Sequence, residues 1–255
     1  MEFKNLAQAK RDLGIGYLGS VSKTTKHIKS IEYNELVYTI YLAPADSSGY
    51  EVCSMRNIEC TDLCLNESGM NRMNMNDELI NRSRIKKTQL FFENRDYFVK
   101  WMAYEIELTK MKAEKLGMSF SVRINNTSDI NPLSFYLDVN GKKLNILELF
   151  PDVQFYDYTK VPNRTKLMKM YSNYDLTFSF DGHNKETCLR MLESNVRVAV
   201  VFDKLPETLW GYKVIDGDLY DMRYRDEKNV IIGLKFKRVR KKLNKDYKFV
   251  IQNPQ

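Results

Sequence analysis

Three of the four cysteines fall within one short stretch, Cys53-Ser-Met-Arg-Asn-Ile-Glu-Cys60-Thr-Asp-Leu-Cys64, a Cys-x6-Cys-x3-Cys spacing. Thiolates are the preferred ligands of zinc and of iron–sulfur clusters. A closed zinc site wants four ligands, and Cys188 lies far downstream in a helical pattern, so the fourth is not obvious. Three thiolates on a four-iron cluster leave one iron open, which is the arrangement used for radical chemistry with S-adenosylmethionine. The usual signature there is Cys-x3-Cys-x2-Cys, and this spacing differs from it. Reduced thiols packed in a loop and core are the plain alternative, since free cysteine is among the most buried residue types. The opening residues MEFKNLAQAKRDLG show no signal-peptide pattern, so disulfides are not expected and a cytoplasmic setting is.

The elements that must position these thiols follow from the pattern of apolar residues. Leu36 to Leu42 is a continuous β-branched and aromatic run, the mark of a buried strand, and Ala43-Pro44 through Gly49 breaks it. The cysteines come next. Asp77 to Gly117 is helical, with Asn94 as N-cap of a second helix whose apolar face is Tyr97, Trp101, Tyr104, Leu108 and Met111. Strands are then expected at Phe120–Ile124, Val153–Tyr156, Leu176–Phe180, Val196–Phe202, Tyr212–Ile215 and Val230–Leu234. Helical segments are expected at Leu144–Phe150, Pro162–Met170 and Lys185–Leu192. Alternating strands and helices imply parallel pairing with right-handed crossovers. The expected fold is a single α/β domain, a partial or full (β/α) barrel over residues 36–240. A polar lead-in over 1–35 precedes it and a basic tail over 241–255 follows.

In parallel α/β folds, sites gather at the carboxyl ends of the strands. The chain's polar clusters fall at those ends. Asn125, Asp129, Asp157, Asp181, Asp216 and Asp218 are candidate cofactor- or substrate-binding residues. Asn, Asp, Ser and Gly also serve as turn and cap formers, which is the plainer reading of any one cluster. Tyr158, Lys160 and His183 are the candidate catalytic groups. Lysine can act as a base, an anion clamp or a Schiff-base amine, and histidine as an acid or base near neutral pH. Cys53, Cys60 and Cys64 are the candidate metal ligands. Asp216, Asp218 and Asp221 resemble the start of a calcium loop without its distal glutamate, and a turn with solvated acids is the preferred reading.

Composition narrows the partners. A net charge of +7 favours contact with nucleic acid, nucleotides or another polyanion. The basic run Lys235-Phe-Lys-Arg-Val-Arg-Lys-Lys242 points the same way, although such runs are usually a solvated face. A host protein is a further possible partner. No apolar run reaches the ~18 residues of a membrane span, and two histidines, His27 and His183, exclude a His-rich metal site.

Several stretches together resemble an uncharacterised phage and plasmid family labelled gene product 88. They are Leu42-Ala-Pro-Ala-Asp46, the cysteine stretch through Leu65, Asn126-Thr-Ser-Asp129, Phe150-Pro-Asp-Val-Gln-Phe-Tyr-Asp-Tyr-Thr-Lys160, Val214-Ile-Asp-Gly-Asp218 with Asp221, and Ile232-Gly-Leu-Lys235. The family often carries Asn-Gly where this chain has Asn125-Asn126. The three-cysteine arrangement also resembles that of phage proteins with a radical-SAM-like barrel. The resemblance implies a phage or mobile-element origin and a host-cytoplasmic setting, and no established activity.

Overall fold

The computed structural model describes residues 2–21, 25–64, 77–237 and 246–252. Residues 238–245, which hold most of the basic run, lie outside the described residues, as do 253–255. The elements in chain order are α1 Leu6–Leu13, β1 Gly19–Val21, α2 Thr25–Glu32, β2 Glu35–Ile40, α3 Ile58–Asp62, α4 Asp77–Glu93, α5 Arg95–Lys115 and β3 Ser119–Arg123. A hairpin of β4 Tyr136–Val139 and β5 Lys142–Asn145 follows. Next come β6 Gln154–Thr159, β7 Tyr174–Ser179, α6 Lys185–Glu193, β8 Arg197–Phe202, β9 Thr208–Leu209, β10 Tyr212–Asp216, β11 Ile231–Lys235 and β12 Val250–Ile251.

The main sheet runs β1-β2-β3-β6-β7-β8-β11-β10-β9, with β12 beside β8. From β2 to β10 every neighbouring pair is parallel, and β1 and β9 are antiparallel edges. From β2 to β11 the strands lie in chain order. Right-handed crossovers then place the intervening helices on one face, the topology of a barrel wall rather than of a doubly wound sheet. Tyr38, Ile40, Val122, Phe155 and Leu176 face that side and form the largest core with Phe98, Trp101 and Met102 of α5.

Among the described residues no strand pairing closes the wall into a barrel. The opposite face carries Glu35, Val37, Arg123 and Tyr156, and the chain between β10 and β11 covers it. Met222 packs on Val37 and Tyr156. Asp221 accepts from Arg123 at 2.7 Å and from the Tyr156 hydroxyl at 3.2 Å. Tyr224 and Arg225 both donate to the buried Glu35 carboxylate. This connection fills the space that closure would enclose.

The residues expected as a polar lead-in are built into the wall. Leu18 is fully buried, and β1 pairs with β2. Glu105 of α5 explains the docking. Its Oε1 accepts from Leu18 N (2.9 Å) and Trp101 Nε1 (2.8 Å), and its Oε2 from Gly19 N (2.9 Å) and the Tyr38 hydroxyl (2.7 Å). A Cβ at Gly19 would lie 2.2 Å from the Tyr38 ring, so the close approach of β1 requires glycine. The same contact corrects the expected face of α5. Tyr97 and Trp101 are buried, but Tyr104, Leu108 and Met111 are 40–44% exposed. The buried stripe is rotated to include Glu105 and Thr109, because a carboxylate with four donors is satisfied where an apolar pattern does not anticipate it.

Candidate functional site

The cysteine segment begins two turns beyond β2 and crosses the carboxyl edge of the sheet. Val52 O accepts from Asp129 N at 2.7 Å, after β3. Cys53 Sγ approaches Thr127 O at 3.9 Å. Asn57 caps α3 by accepting from Cys60 N at 2.8 Å, and its Nδ2 donates to Asp181 O, after β7, at 2.9 Å. The loop is thus tied to the ends of β3 and β7, as the strand order demands.

Cys53, Cys60 and Cys64 are all half-buried and line one cavity of about 430 Å³, whose other walls include Ala43, Pro44 and Ile85. Burial pushes the Cys53 thiol up to about 12, and Cys64, Asp129 and Cys60 lie near enough to add to the rise. Lys160, just past β6, lies beside Cys60 and Asp129. Burial pulls its ammonium down, but Cys60, Asp129 and Cys53 outweigh that and hold it above its ordinary value. Among the described residues no group of three or more His, Cys, Asp or Glu side chains is placed to hold a metal ion.

The other expected site residues divide between this rim and the scaffold. Asp129 accepts from Lys160 N at 2.9 Å and pairs with Arg164, which fixes the loop after β3 to the turn after β6. Asn125 and Asp157 hold each other. Asn125 N donates to Asp157 Oδ1 at 2.7 Å and Asn125 Nδ2 to Oδ2 at 3.1 Å, while the Tyr174 hydroxyl also donates to Oδ2 at 3.2 Å. Burial raises the Asp157 carboxyl to about 6 against these bonds. Tyr158 lies on the sheet face covered by the β10–β11 connection. The Arg123 guanidinium sits 4.6 Å from its ring centroid, and burial pushes its hydroxyl up to about 12. Asp181 Oδ1 accepts from His183 N and Asn184 N, a turn-capping role.

Asp216 and Asp218 belong to β10 and its end, beyond β11 in the sheet order. Asp216 pairs with Lys235 Nζ at 3.3 Å, Asp218 Oδ2 accepts from Lys235 N at 2.9 Å, and Asp221 is committed to Arg123. Asp216 and Asp218 thus both serve Lys235, through its ammonium and its backbone amide, while Asp221 serves Arg123.

Glu59, between the cysteines, was not singled out by the sequence. Its Oε1 lies 2.7 Å from His183 Nε2, and its Oε2 accepts from Lys248 N and Phe249 N, both at 2.8 Å. An acid within the cysteine stretch was the available signal. Arg164 gave none, since its role depends on where Asp129 ends up.

These features define an α/β protein with parallel strands in chain order and a thiol-lined cavity at their carboxyl edge. No curated protein and no solved structure matches the chain. The family model for gene product 88 matches residues 12–252, and the chain belongs to that family. Among the described residues no helix is long and apolar enough to cross a membrane.

Proposed function

We propose that the protein is a metalloenzyme in which Cys53, Cys60 and Cys64 hold an iron–sulfur cluster. One observation carries the reading: three thiols separated in sequence line a single cavity at the carboxyl edge of a parallel sheet, where α/β proteins place their chemistry. The donor set fits a cluster better than a lone zinc. A closed zinc site wants four ligands, and this segment offers three thiols. A cluster spreads its thiolates over separate irons, and Lys160 offers a positive charge beside Cys60 to offset theirs.

A four-iron cluster held by three thiolates keeps one iron open, and with S-adenosylmethionine such a group supplies radical chemistry. Around it, Lys160 balances charge, Asp129 and Arg164 fix the loops that bear Asn125 and Lys160, and the apolar wall formed by Ala43, Pro44 and Ile85 limits water. The net charge of +7 supports a nucleotide or nucleic acid as substrate.

The test compares Cys60→Ala with Cys188→Ala, each purified without oxygen. Cys60→Ala should lose its iron, and Cys188→Ala, altered in the core beneath α6, should keep it. Full iron occupancy in Cys60→Ala contradicts the assignment. Iron absent from every form favours a protein that binds nucleic acid or a host factor without catalysis.

A further inference from the structure

The sheet is split at its carboxyl edge. β7 pairs with the first half of β8, through Ser179↔Ala199, and β12 takes the second half, through Val250↔Val201 and Ile251↔Phe202. The chain just before β12 is seated on the cysteine helix. Lys248 N and Phe249 N both donate to Glu59 Oε2, and the Tyr247 hydroxyl donates to Asp62 at 2.5 Å. Glu59 is only 5% exposed. From the other side Gly182, at φ +97°, lets the β7 loop close on the same point. A Cβ there would fall 2.8 Å from Phe249 N and 3.0 Å from Glu59 Oε2. The residue after Glu59 is Cys60, which lines the cavity together with Thr61 and Asp62 of the same short helix and Cys64 just beyond its end.

We infer that residues 246–252 form a strap that latches the cysteine helix through Glu59, so that seating of the strap sets access to the thiol cavity. Glu59 is then a positioning residue, which holds the backbone that aims Cys60 and Cys64. The acceptor oxygen matters more than the charge, because one oxygen takes both backbone amides. Tyr247, Phe249 and Val250 pack with Leu63 and Val201, which gives the strap an apolar seat of its own. The inference does not depend on the thiols carrying a metal.

The test is thiol labelling of the full chain, freed of metal by chelation, with iodoacetamide and peptide mapping. The variants are Glu59→Ala, Glu59→Gln, Gly182→Ala and a chain ending at residue 245. Cys60 and Cys64 should label about tenfold faster or more in Glu59→Ala, in Gly182→Ala and in the truncated chain, as expected when two backbone hydrogen bonds are lost together. Glu59→Gln, which keeps an oxygen for both amides, should return to near the original rate. Cys188, fully buried in a separate core, should stay protected throughout. Unchanged labelling of Cys60 and Cys64 in Glu59→Ala overturns the inference. So does exposure of Cys188 together with the other thiols, which would make the strap part of the general fold. Because metal is absent from the assay, its outcome is separate from that of the iron measurement.

Discussion

Arg123 at the end of β3 and Asp221 in the β10–β11 connection are 98 residues apart in sequence and pair at 2.7 Å, with side chains 9% and 2% exposed. This pair anchors the connection against the sheet face that a closed barrel would have enclosed. Removing one partner leaves a buried charge unmatched, at a cost of about 3–5 kcal/mol. Asp221→Ala should therefore lower stability by that order in urea unfolding. The double variant Arg123→Met/Asp221→Leu should recover much of the loss. A single variant as stable as the parent would show that the connection is held by other contacts.

Glu105→Ala should be as damaging for a different reason. It leaves four donors, two of them backbone, without their acceptor in the core. The expected loss is about 3 kcal/mol or more. Hydrogen exchange should rise first at Leu18 and Gly19, because β1 depends on this carboxylate.

Asp157 gives a pH signature. Its folded value near 6 lies above the ordinary 3.8, chiefly through burial. The folded state therefore holds this proton more tightly. The associated stability is fully present below the unfolded value and is lost as pH rises through about 6. Two units correspond to about 3 kcal/mol. Asp157→Asn lacks this dependence, so its stability relative to the parent should improve between pH 4 and pH 7 by that order. A difference independent of pH would contradict the assignment.

The parallel strands from β2 to β11 were legible in the sequence because buried parallel strands read as continuous apolar runs bounded by polar turns. Asn94 was legible as a cap, and its Oδ1 does accept from Tyr97 N. The gathering of strand-end residues around the cysteines was legible from order alone for Asp129, Lys160 and, through Glu59, His183. Three features were not. β1 is held by the buried acid Glu105, in a pattern that reads as surface. Among the described residues no strand closes the wall, and a connection containing Tyr220, Met222 and Tyr224 covers its other face; tertiary covering leaves no local period. β12 is a two-residue strand whose place depends on the gap between β7 and β8.

Lys160 should tune whatever the thiols hold. With a cluster bound, Lys160→Met removes a positive charge next to Cys60, which should make the cluster harder to reduce and move its potential to more negative values. Lys160→Arg should largely preserve the potential. A redox titration followed by electron paramagnetic resonance reads the difference, and equal potentials in all three proteins would remove Lys160 from the site.

Metal and acid-labile sulfide content, with an absorbance spectrum, on protein purified without oxygen decides whether Cys53, Cys60 and Cys64 hold a cluster. A brown protein with about four irons and matching sulfide per chain is expected. A colourless protein with one zinc, or with no metal after reconstitution with iron and sulfide, would contradict the assignment.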